Sequence, residues 1–305
     1  MILAAIDIGS NAIRLQIIRV IQEENMVSFK KLQYLRFPLR LGKDVFKNGI
    51  ISKPTKIKFE NLMRTYKLLI NLYEADAYTA VATSAMREAE NGLEIVTTIG
   101  TYFDLKINII SGKEEAEMLS KAIVPYLDNK NYIHIDVGGG STELNLYRNK
   151  EKINSQSFKI GSVRTLTTTQ RKNIFSDMKT WLNQEKNIVG TPIIAVGTGG
   201  NINKLFKLSH QKNSNNNSIS LTELNALRMY VNEFDYEKRI SILKLNPDRA
   251  DVIVPAAEIY GKAMKLTGAD SIIVPGVGLK DGLLYTLFEK TTNENIANIQ
   301  FLEPF

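Results

Sequence analysis

Hydrophobic and polar residues alternate in two stretches of the chain that resemble each other. AIDIGSNAIRLQI (5–17) aligns without a gap with HIDVGGGSTELNL (134–146), so that Asp7 matches Asp136 and Gly9 matches Gly138. In each copy an apolar run meets a glycine turn and then resumes, a pattern that predicts strand, turn and strand. A further alternating stretch and helical patterns follow both copies. A repeat with so long a period indicates a duplicated domain.

Helical and strand patterns continue to alternate along the rest of the chain. Apolar residues between Phe59 and Tyr73 recur on one helical face. Ser111, with Glu114 three residues later, has the form of a capping box at a helix start. The other predicted elements are strands at 77–85, 106–111, 191–196 and 271–276 and a closing helix at 279–290. This alternation predicts an α/β fold with a mixed sheet in each half, divided into domains 1–123 and 124–305.

The composition is that of a globular protein with room for two cores. The chain has 305 residues, of which 44% are hydrophobic. It contains no cysteine and only two histidines, His134 and His210, which argues against thiolate metal sites and against a zinc or histidine-dependent hydrolase. The N-terminus lacks the basic region of a signal peptide, and no apolar run approaches the length of a membrane span. We therefore expect a cytoplasmic protein with no membrane partner.

The net charge of +7 changes this picture only slightly. A basic balance suits a polyanionic partner such as a nucleic acid, polyphosphate or a nucleotide. On charge alone, the simpler interpretation is a lysine-rich surface that aids solubility. The lysines are scattered, with no basic helix and no aromatic RNA-binding pattern, so we expect no nucleic-acid partner.

Three glycine turns are the first candidates for chemistry: DIGSN (7–11), DVGGGST (136–142) and GTGG (197–200). Successive backbone N–H groups in such turns can form a concavity that binds an anion. A tight hairpin alone often explains one such turn, but three, two of them related by duplication, favour phosphate binding. None has the spacing of a P-loop or of the Rossmann fingerprint.

Acidic residues lie beside the two duplicated turns. Asp7 and Asp136 stand at predicted strand ends, where an aspartate can cap its own turn or can hold Mg²⁺ near a phosphate, usually through water. Glu143 lies across the second hairpin from Asp136. The alternation of its neighbours leaves open whether Glu143 is an exposed strand residue or faces the same pocket.

Four motifs together resemble the exopolyphosphatase / guanosine pentaphosphate phosphatase (Ppx/GppA) family. They are AAIDIGSNAIRLQI (4–17), ATSAMREAEN (82–91), IISGKEEAEM (109–118) and IDVGGGSTEL (135–144), in the order and spacing of that family. Weaker matches, including FPLRLGKDVFKNGIIS (37–52), KIGSVRTL (159–166) and AVGTGGNINKL (195–205), extend the resemblance over nearly the whole chain. The resemblance implies duplicated actin-like, ribonuclease H-like domains with a cleft between them.

The resemblance also implies an activity, the release of a terminal phosphoryl group from polyphosphate or pppGpp. The family motif selects Glu115 as the base that accepts a proton from the attacking water. From the residues alone, Glu115 is a helix N-terminal residue favoured by the helix dipole, and Glu114 could share either role. Arg87 matches the motif arginine and suits phosphate, although a surface ion pair with Glu88 or Glu90 would also explain it.

The remaining site assignments follow the same resemblance. Mg²⁺ is the implied cofactor, with Asp136 and Glu143 as carboxylates near the metal and Asp7 as a third predicted ligand. Besides Arg87, the residues predicted to bind phosphate are Gly9, Ser10, Asn11, Arg14, Gly138, Gly139, Gly140, Ser141, Gly197 and Gly199.

The implied substrate is polyphosphate, preferably short, or a guanosine polyphosphate such as pppGpp. The chain lacks the helical C-terminal region of long family members and is therefore expected to be a short form. Lys280 and Asp281 replace an arginine and a glutamate that are common in the closing helix, with charge preserved. Two alternatives stay open: a kinase on the same fold, and a polyphosphate- or (p)ppGpp-binding sensor with little turnover. A homodimer is a further possibility.

Overall fold

The chain forms two α/β units, each built around a six-stranded sheet. A computed structural model describes residues 1–23, 26–210, 213, 217–294 and 300–301. The first unit comprises Met1–Pro125 and the segment that begins at Val277, and the second comprises Tyr126–Gly276. The predicted α/β class with a mixed sheet in each half is confirmed.

The first unit is organised around a central hairpin. Its elements up to the boundary are β1 (Ile2–Ile8), β2 (Ile13–Glu23), β3 (Met26–Phe37), α1 (Leu41–Asn48), α2 (Lys53–Leu72), β4 (Ala77–Ala82), α3 (Ser84–Glu88), α4 (Gly92–Phe103), β5 (Asn108–Ile109) and α5 (Gly112–Ile123). β1 pairs antiparallel with β2 and parallel with β4, so it lies inside the sheet. Its residues Leu3 to Ile6 are fully buried, as expected of a strand covered on both faces.

The second unit repeats this arrangement. Its elements are β6 (Asn131–Val137), β7 (Thr142–Arg148), β8 (Glu151–Phe158), α6 (Thr168–Val189), β9 (Ile193–Thr198), α7 (Gly200–Leu208), β10 (Ser218–Ser220), α8 (Leu221–Glu233), α9 (Tyr236–Ser241), α10 (Pro247–Ala250), α11 (Ile253–Thr267) and β11 (Ser271–Ile273). The strand order β8-β7-β6-β9 matches β3-β2-β1-β4 of the first sheet, with the same antiparallel and parallel pairings. The predicted duplication therefore holds at the level of topology.

The closing segment corrects the predicted domain limits. It contains α12 (Leu279–Thr292) and β12 (Gln300–Phe301). α12 packs on β1, β2, β4 and α5, and β12 pairs with β3, all of which belong to the first unit. The predicted second domain of 124–305 therefore loses its last helix to the first domain, which was predicted as 1–123. α12 therefore packs on the first unit and not on the sheet that precedes it in sequence.

Candidate active site

The backbone carbonyl groups of the second glycine hairpin accept hydrogen bonds from the segment 162–164. Ser162 N donates to Gly138 O at 3.0 Å, Val163 N donates to Gly139 O at 2.8 Å, and Arg164 Nε donates to Gly140 O at 2.7 Å. In a planar trans peptide the C=O and the following N–H point in opposite directions. The N–H groups of the peptides that follow these carbonyls, those of residues 139–141, therefore point away from the 162–164 segment, as an anion-binding concavity requires.

The first glycine hairpin is held in the same way by another segment. Gly42 N donates to Ser10 O at 2.8 Å and Arg40 N donates to Asn11 O at 3.1 Å. The peptide N–H groups that follow these carbonyls thus point away from the 40–42 segment. A Cβ on Gly9 would lie 3.1 Å from Ala12 O, so a side chain there would press on the turn.

The two segments that donate hydrogen bonds to the hairpin carbonyl groups, 40–42 and 162–164, lie within the weaker motif matches 37–52 and 159–166. Their role as supports for the glycine turns could not be assigned from the sequence, because the hydrogen bonds join residues that are about 24 to 32 positions apart.

Asp7 and Arg14 form an ion pair across the first hairpin. They are register partners on β1 and β2, and Arg14 Nη1 lies 2.6 Å from Asp7 Oδ2. Asp7 is buried, whereas Arg14 is partly exposed. The predicted metal ligand and the predicted phosphate ligand are thus each other's partners in this structure. Both roles remain predictions.

Glu114 and Glu115 have different surroundings at the start of α5. Ser111 caps the helix by accepting from Glu114 N, and the Glu114 carboxylate accepts from Ser111 N at 2.7 Å, which confirms the capping box. Hydrogen bonds from Ser111 lower the pKa of Glu114. Glu115 is 8% exposed, and its Oε2 lies 3.9 Å from Nη1 of Arg87. That distance makes Arg87 a charge neighbour of Glu115 rather than a hydrogen-bond donor.

Arg87 is positioned by the backbone. Its Nη1 donates to Ile110 O at 2.6 Å, at the end of the segment that leads into α5. The pairs with Glu88 and Glu90 that the sequence left open do not appear among the ion pairs of the described residues. The structure instead brings Arg87 beside Glu115, and the sequence motifs had selected both of these side chains.

Asp136 and Glu143 are directly opposite one another on β6 and β7. Opposite residues of an antiparallel pair share one face of the sheet, with Cβ atoms about 5 Å apart. Glu143 is 2% exposed and accepts from Ser141 Oγ at 2.6 Å and from Ser157 Oγ at 3.0 Å. Asp136 accepts from Thr198 Oγ1 at 2.6 Å. The exposed-strand interpretation of Glu143 does not fit its burial.

The two glycines of the third turn that were predicted to bind phosphate, Gly197 and Gly199, have different surroundings. Gly199 has φ +107°, which favours glycine, and a Cβ there would lie 3.2 Å from Tyr260 Oη and 3.3 Å from Asp136 Oδ1. Gly197 lies within β9, where a Cβ would meet Ile272 at 2.7 Å. Gly199 is thus beside Asp136, whereas Gly197 has a packing reason to be glycine. The phosphate role of both remains a prediction.

Sequence reasoning missed a buried polar group behind Asp136. His134 is fully buried between Asn145 and Thr198. Burial lowers the pKa of His134 from 6.5 to about 3, so its imidazole is neutral. Tyr260 is also fully buried and donates to Thr198 O, and burial, followed by the charge of Asp136, raises its pKa. A polar residue inside an apolar strand was the available signal for His134.

The side chains available as metal ligands determine which metal ion the site could bind. No group of three or more acidic, histidine or cysteine side chains is placed to hold a metal ion within the described part of the chain. The opposed carboxylates of Asp136 and Glu143 fit Mg²⁺, which binds through one or two carboxylates and keeps its other positions for water and substrate phosphates.

The repeated sheets, each carrying a glycine hairpin between its central strands, define a duplicated α/β protein of the actin-like fold. The model of the Ppx/GppA phosphatase family matches residues 20–291, and the chain belongs to that family. The predicted family and fold class are confirmed.

The chain is similar to two curated relatives and to one solved structure. A bifunctional 3-dehydroquinate synthase/phosphatase of Fusobacterium nucleatum is 26% identical over 95% of this chain and 47% of its own length. A guanosine-5'-triphosphate,3'-diphosphate pyrophosphatase of Aliivibrio fischeri is 23% identical over 96% of this chain and 61% of its own length. The structure of an exopolyphosphatase from Cytophaga hutchinsonii matches with a TM-score of 0.79 and 22% identity, covering 94% of this chain and 97% of that one. The chain thus spans about half to three fifths of the two curated relatives.

In the part of the chain that is described, no helix combines the length and apolar character needed to cross a membrane.

Proposed function

We propose that the chain is a phosphohydrolase that releases terminal orthophosphate from linear phosphoanhydrides. The substrate class is inorganic polyphosphate, preferably short, or pppGpp. The observation that carries the proposal is the buried Glu115 beside Arg87, in a chain whose family model covers 272 of its 305 residues, counting from 20 to 291.

In the proposed reaction, water attacks the terminal phosphorus and gives its proton to Glu115. The bond from phosphorus to the bridging oxygen breaks, and the shortened chain leaves as an anion. Because phosphoryl transfer has a loose transition state, positioning and charge neutralisation supply most of the rate. Arg87 offers a guanidinium to the phosphate oxygens, a role that its fork geometry suits.

The glycine hairpins of the two units would bind phosphate through backbone N–H groups. The orientation of the peptides at residues 139–141, set by the 162–164 segment, supports this role in the second unit. Asp136 and Glu143 would hold Mg²⁺, which offsets phosphate charge when bound. Asp7 would contribute as a metal ligand and Arg14 as a phosphate ligand of the first unit.

The test is phosphate release from three substrates: short polyphosphate, long polyphosphate and pppGpp, each with Mg²⁺ and with the metal chelated. The proposal predicts metal-dependent release from at least one of them. Binding of all three without release would favour the sensor alternative. Transfer of the phosphoryl group to an added acceptor instead of to water would favour the kinase alternative.

A further inference from the structure

A chain of hydrogen bonds runs through the core of the second unit and ends on Asp136. Asn145 Nδ2 lies 2.9 Å from His134 Nδ1, and His134 Nε2 lies 2.8 Å from Thr198 Oγ1. Thr198 Oγ1 in turn lies 2.6 Å from Asp136 Oδ1. Asn145, His134 and Thr198 are fully buried. We call these three residues the Asn145–His134–Thr198 relay.

The chemistry of the groups sets the direction of every bond. The amide nitrogen of Asn145 can only donate, so Nδ1 of His134 accepts. A neutral imidazole then carries its proton on Nε2 and donates it to Thr198 Oγ1. The Thr198 hydroxyl is left to donate to the carboxylate of Asp136. One proton arrangement satisfies all three contacts, and it points a donor at Asp136.

The first unit has no such relay at the matching positions. Ala5 and Gln16 pair on β1 and β2 in the register in which His134 and Asn145 pair on β6 and β7. Ala5 has no polar side chain, and Gln16 Nε2 instead contacts Asp281 Oδ1 at 3.4 Å. Asp7 is held by Arg14 from its own hairpin. The histidine thus belongs to one copy of the duplicated hairpin, the copy that carries two opposed carboxylates.

Thr198 is fixed at its backbone as well as at its hydroxyl. Tyr260 donates to the Thr198 carbonyl, and Val137 N donates to Tyr260 Oη at 3.3 Å. The tyrosine therefore ties the end of β9 to the start of the glycine turn. Both the backbone and the hydroxyl of Thr198 are held in place. Asp136 Oδ1, which accepts from that hydroxyl, therefore has little freedom to move.

We propose that His134 is a positioning residue: through Thr198 it orients the Asp136 carboxylate for the divalent cation that accompanies the phosphate substrate. The inference rests on the proposed function, in which Asp136 holds Mg²⁺. Partners that hydrogen-bond to metal ligands typically change metal affinity by about 10- to 100-fold when removed. His134 touches neither metal nor substrate and acts only through the relay.

The experiment measures Mn²⁺ binding by electron paramagnetic resonance, without turnover, in the full chain and four variants. His134→Leu and Thr198→Val remove the two donors. Thr198→Ser keeps the hydroxyl and serves as the matched control for Thr198→Val. His210→Gln is the control for the only other histidine, which is exposed. Circular dichroism and thermal melts check folding. Nitrogen-15 spectra of labelled histidine, assigned with His210→Gln, report which ring nitrogen of His134 carries the proton.

Three results are expected: Mn²⁺ affinity falls about tenfold or more in His134→Leu and Thr198→Val, stays within about threefold in Thr198→Ser, and the proton resides on Nε2 of His134. Unchanged Mn²⁺ affinity in a folded Thr198→Val, or a proton on Nδ1, overturns the inference. If the wild type binds Mn²⁺ with the expected pattern but releases no phosphate, the proposed function fails and the positioning role stands. A wild type that binds no Mn²⁺ overturns the positioning role, whereas the proposed function is decided separately by metal-dependent phosphate release.

Discussion

Side-chain hydroxyls hold the two carboxylates of the second hairpin. Ser141 and Ser157 both donate to Oε1 of Glu143, and Thr198 donates to Oδ1 of Asp136. Hydrogen bonds to an ionised acceptor are roughly twice as strong as neutral ones. These contacts keep both acids in place, with Glu143 buried and Asp136 partly exposed. In the proposed function, a metal would therefore meet carboxylates whose orientation is already set.

The buried His134 predicts a specific acid sensitivity of folding. Its pKa is about 3 in the folded chain and 6.5 as the ordinary value, so the unfolded state binds more protons between these limits. The free energy of unfolding is therefore highest above pH 6.5 and falls as the pH drops, by about 1.4 kcal/mol per pH unit from this group. Urea unfolding at pH 7, 6 and 5 measures the slope.

His134→Gln removes the titrating group and is expected to flatten this slope, whereas His210→Gln, at an exposed position, is expected to keep it. Equal slopes in wild type and His134→Gln would show that other groups cause the acid sensitivity.

The sequence motifs selected the residues of the candidate site, but they did not predict which side chains contact one another there. Asp136 and His134 lie on one face of β6, which the alternation of HIDV shows without a structure. Thr198, however, is 62 residues from Asp136 and 64 from His134 in sequence, and it contacts them through the parallel pairing of β6 with β9. The Asp7–Arg14 pair likewise depends on strand register. No local pattern encodes such a register, so the relay and the ion pair could not be predicted.

Among the secondary-structure elements, the connection after β8 determines the shape of the second glycine turn. A Cβ on Gly161 would lie 2.4 Å from Gly139 O and 2.7 Å from the carbonyl carbon of Gly140. Both obstacles are backbone atoms of the turn, which cannot rotate away as a side chain could. The glycine at 161 is therefore needed for the turn and its support to approach each other.

Gly161→Ala is expected to displace the turn and to lower phosphate release by more than tenfold, with a loss of stability of about 1–3 kcal/mol. Gly100→Ala in α4 is the matched control, because a Cβ there meets nothing within 4 Å. Removing a helical glycine is expected to stabilise the chain by about 0.5–1 kcal/mol. Activity assays with thermal melts distinguish the two. Full activity in Gly161→Ala would contradict the assigned role of the turn.

Most elements were predictable because their periodicity is local. The helix at α2 buries Phe59, Met63, Tyr66 and Ile70, as the apolar spacing predicted. The strand predicted at 106–111 shrinks to Asn108–Ile109, since only those residues pair with β4. Pairing with a neighbour, and not the apolar run itself, decides how long a strand becomes.

For the whole molecule, the closing helix is the feature that local patterns could not place. α12 is buried over the consecutive residues from Leu279 to Tyr285, so it has no single apolar face to show which core it joins, and the sequence prediction assigned it to the second domain. Gly282 shows where it packs: a Cβ there would lie 1.9 Å from Met118 O on α5. So close an approach of two helices requires glycine at the contact. The first unit is thus completed by residues that follow the whole second unit in sequence.

Gly282→Ala is expected to separate α12 from α5 and to lower the free energy of unfolding by about 1–3 kcal/mol. Because α5 carries Glu115, activity is expected to fall along with stability. Lys290→Ala, at an exposed position of the same helix, is the control and is expected to be nearly neutral. Chemical denaturation of both variants provides the comparison. A Gly282→Ala variant as stable as the wild type would argue against the close helix contact.

The proposed activity rests on the role of Glu115, which can be tested against a neighbour on the same helix. The measurement is phosphate release and substrate binding, with Mg²⁺, for wild type, Glu115→Gln and Glu117→Gln. Glu117 is exposed on α5, and Glu114 is unsuitable as a control because it forms the capping box. The predicted result is a loss of about two orders of magnitude or more in kcat for Glu115→Gln with binding retained, and wild-type rates for Glu117→Gln. A Glu115→Gln variant that releases phosphate as fast as the wild type would contradict the assignment of the base.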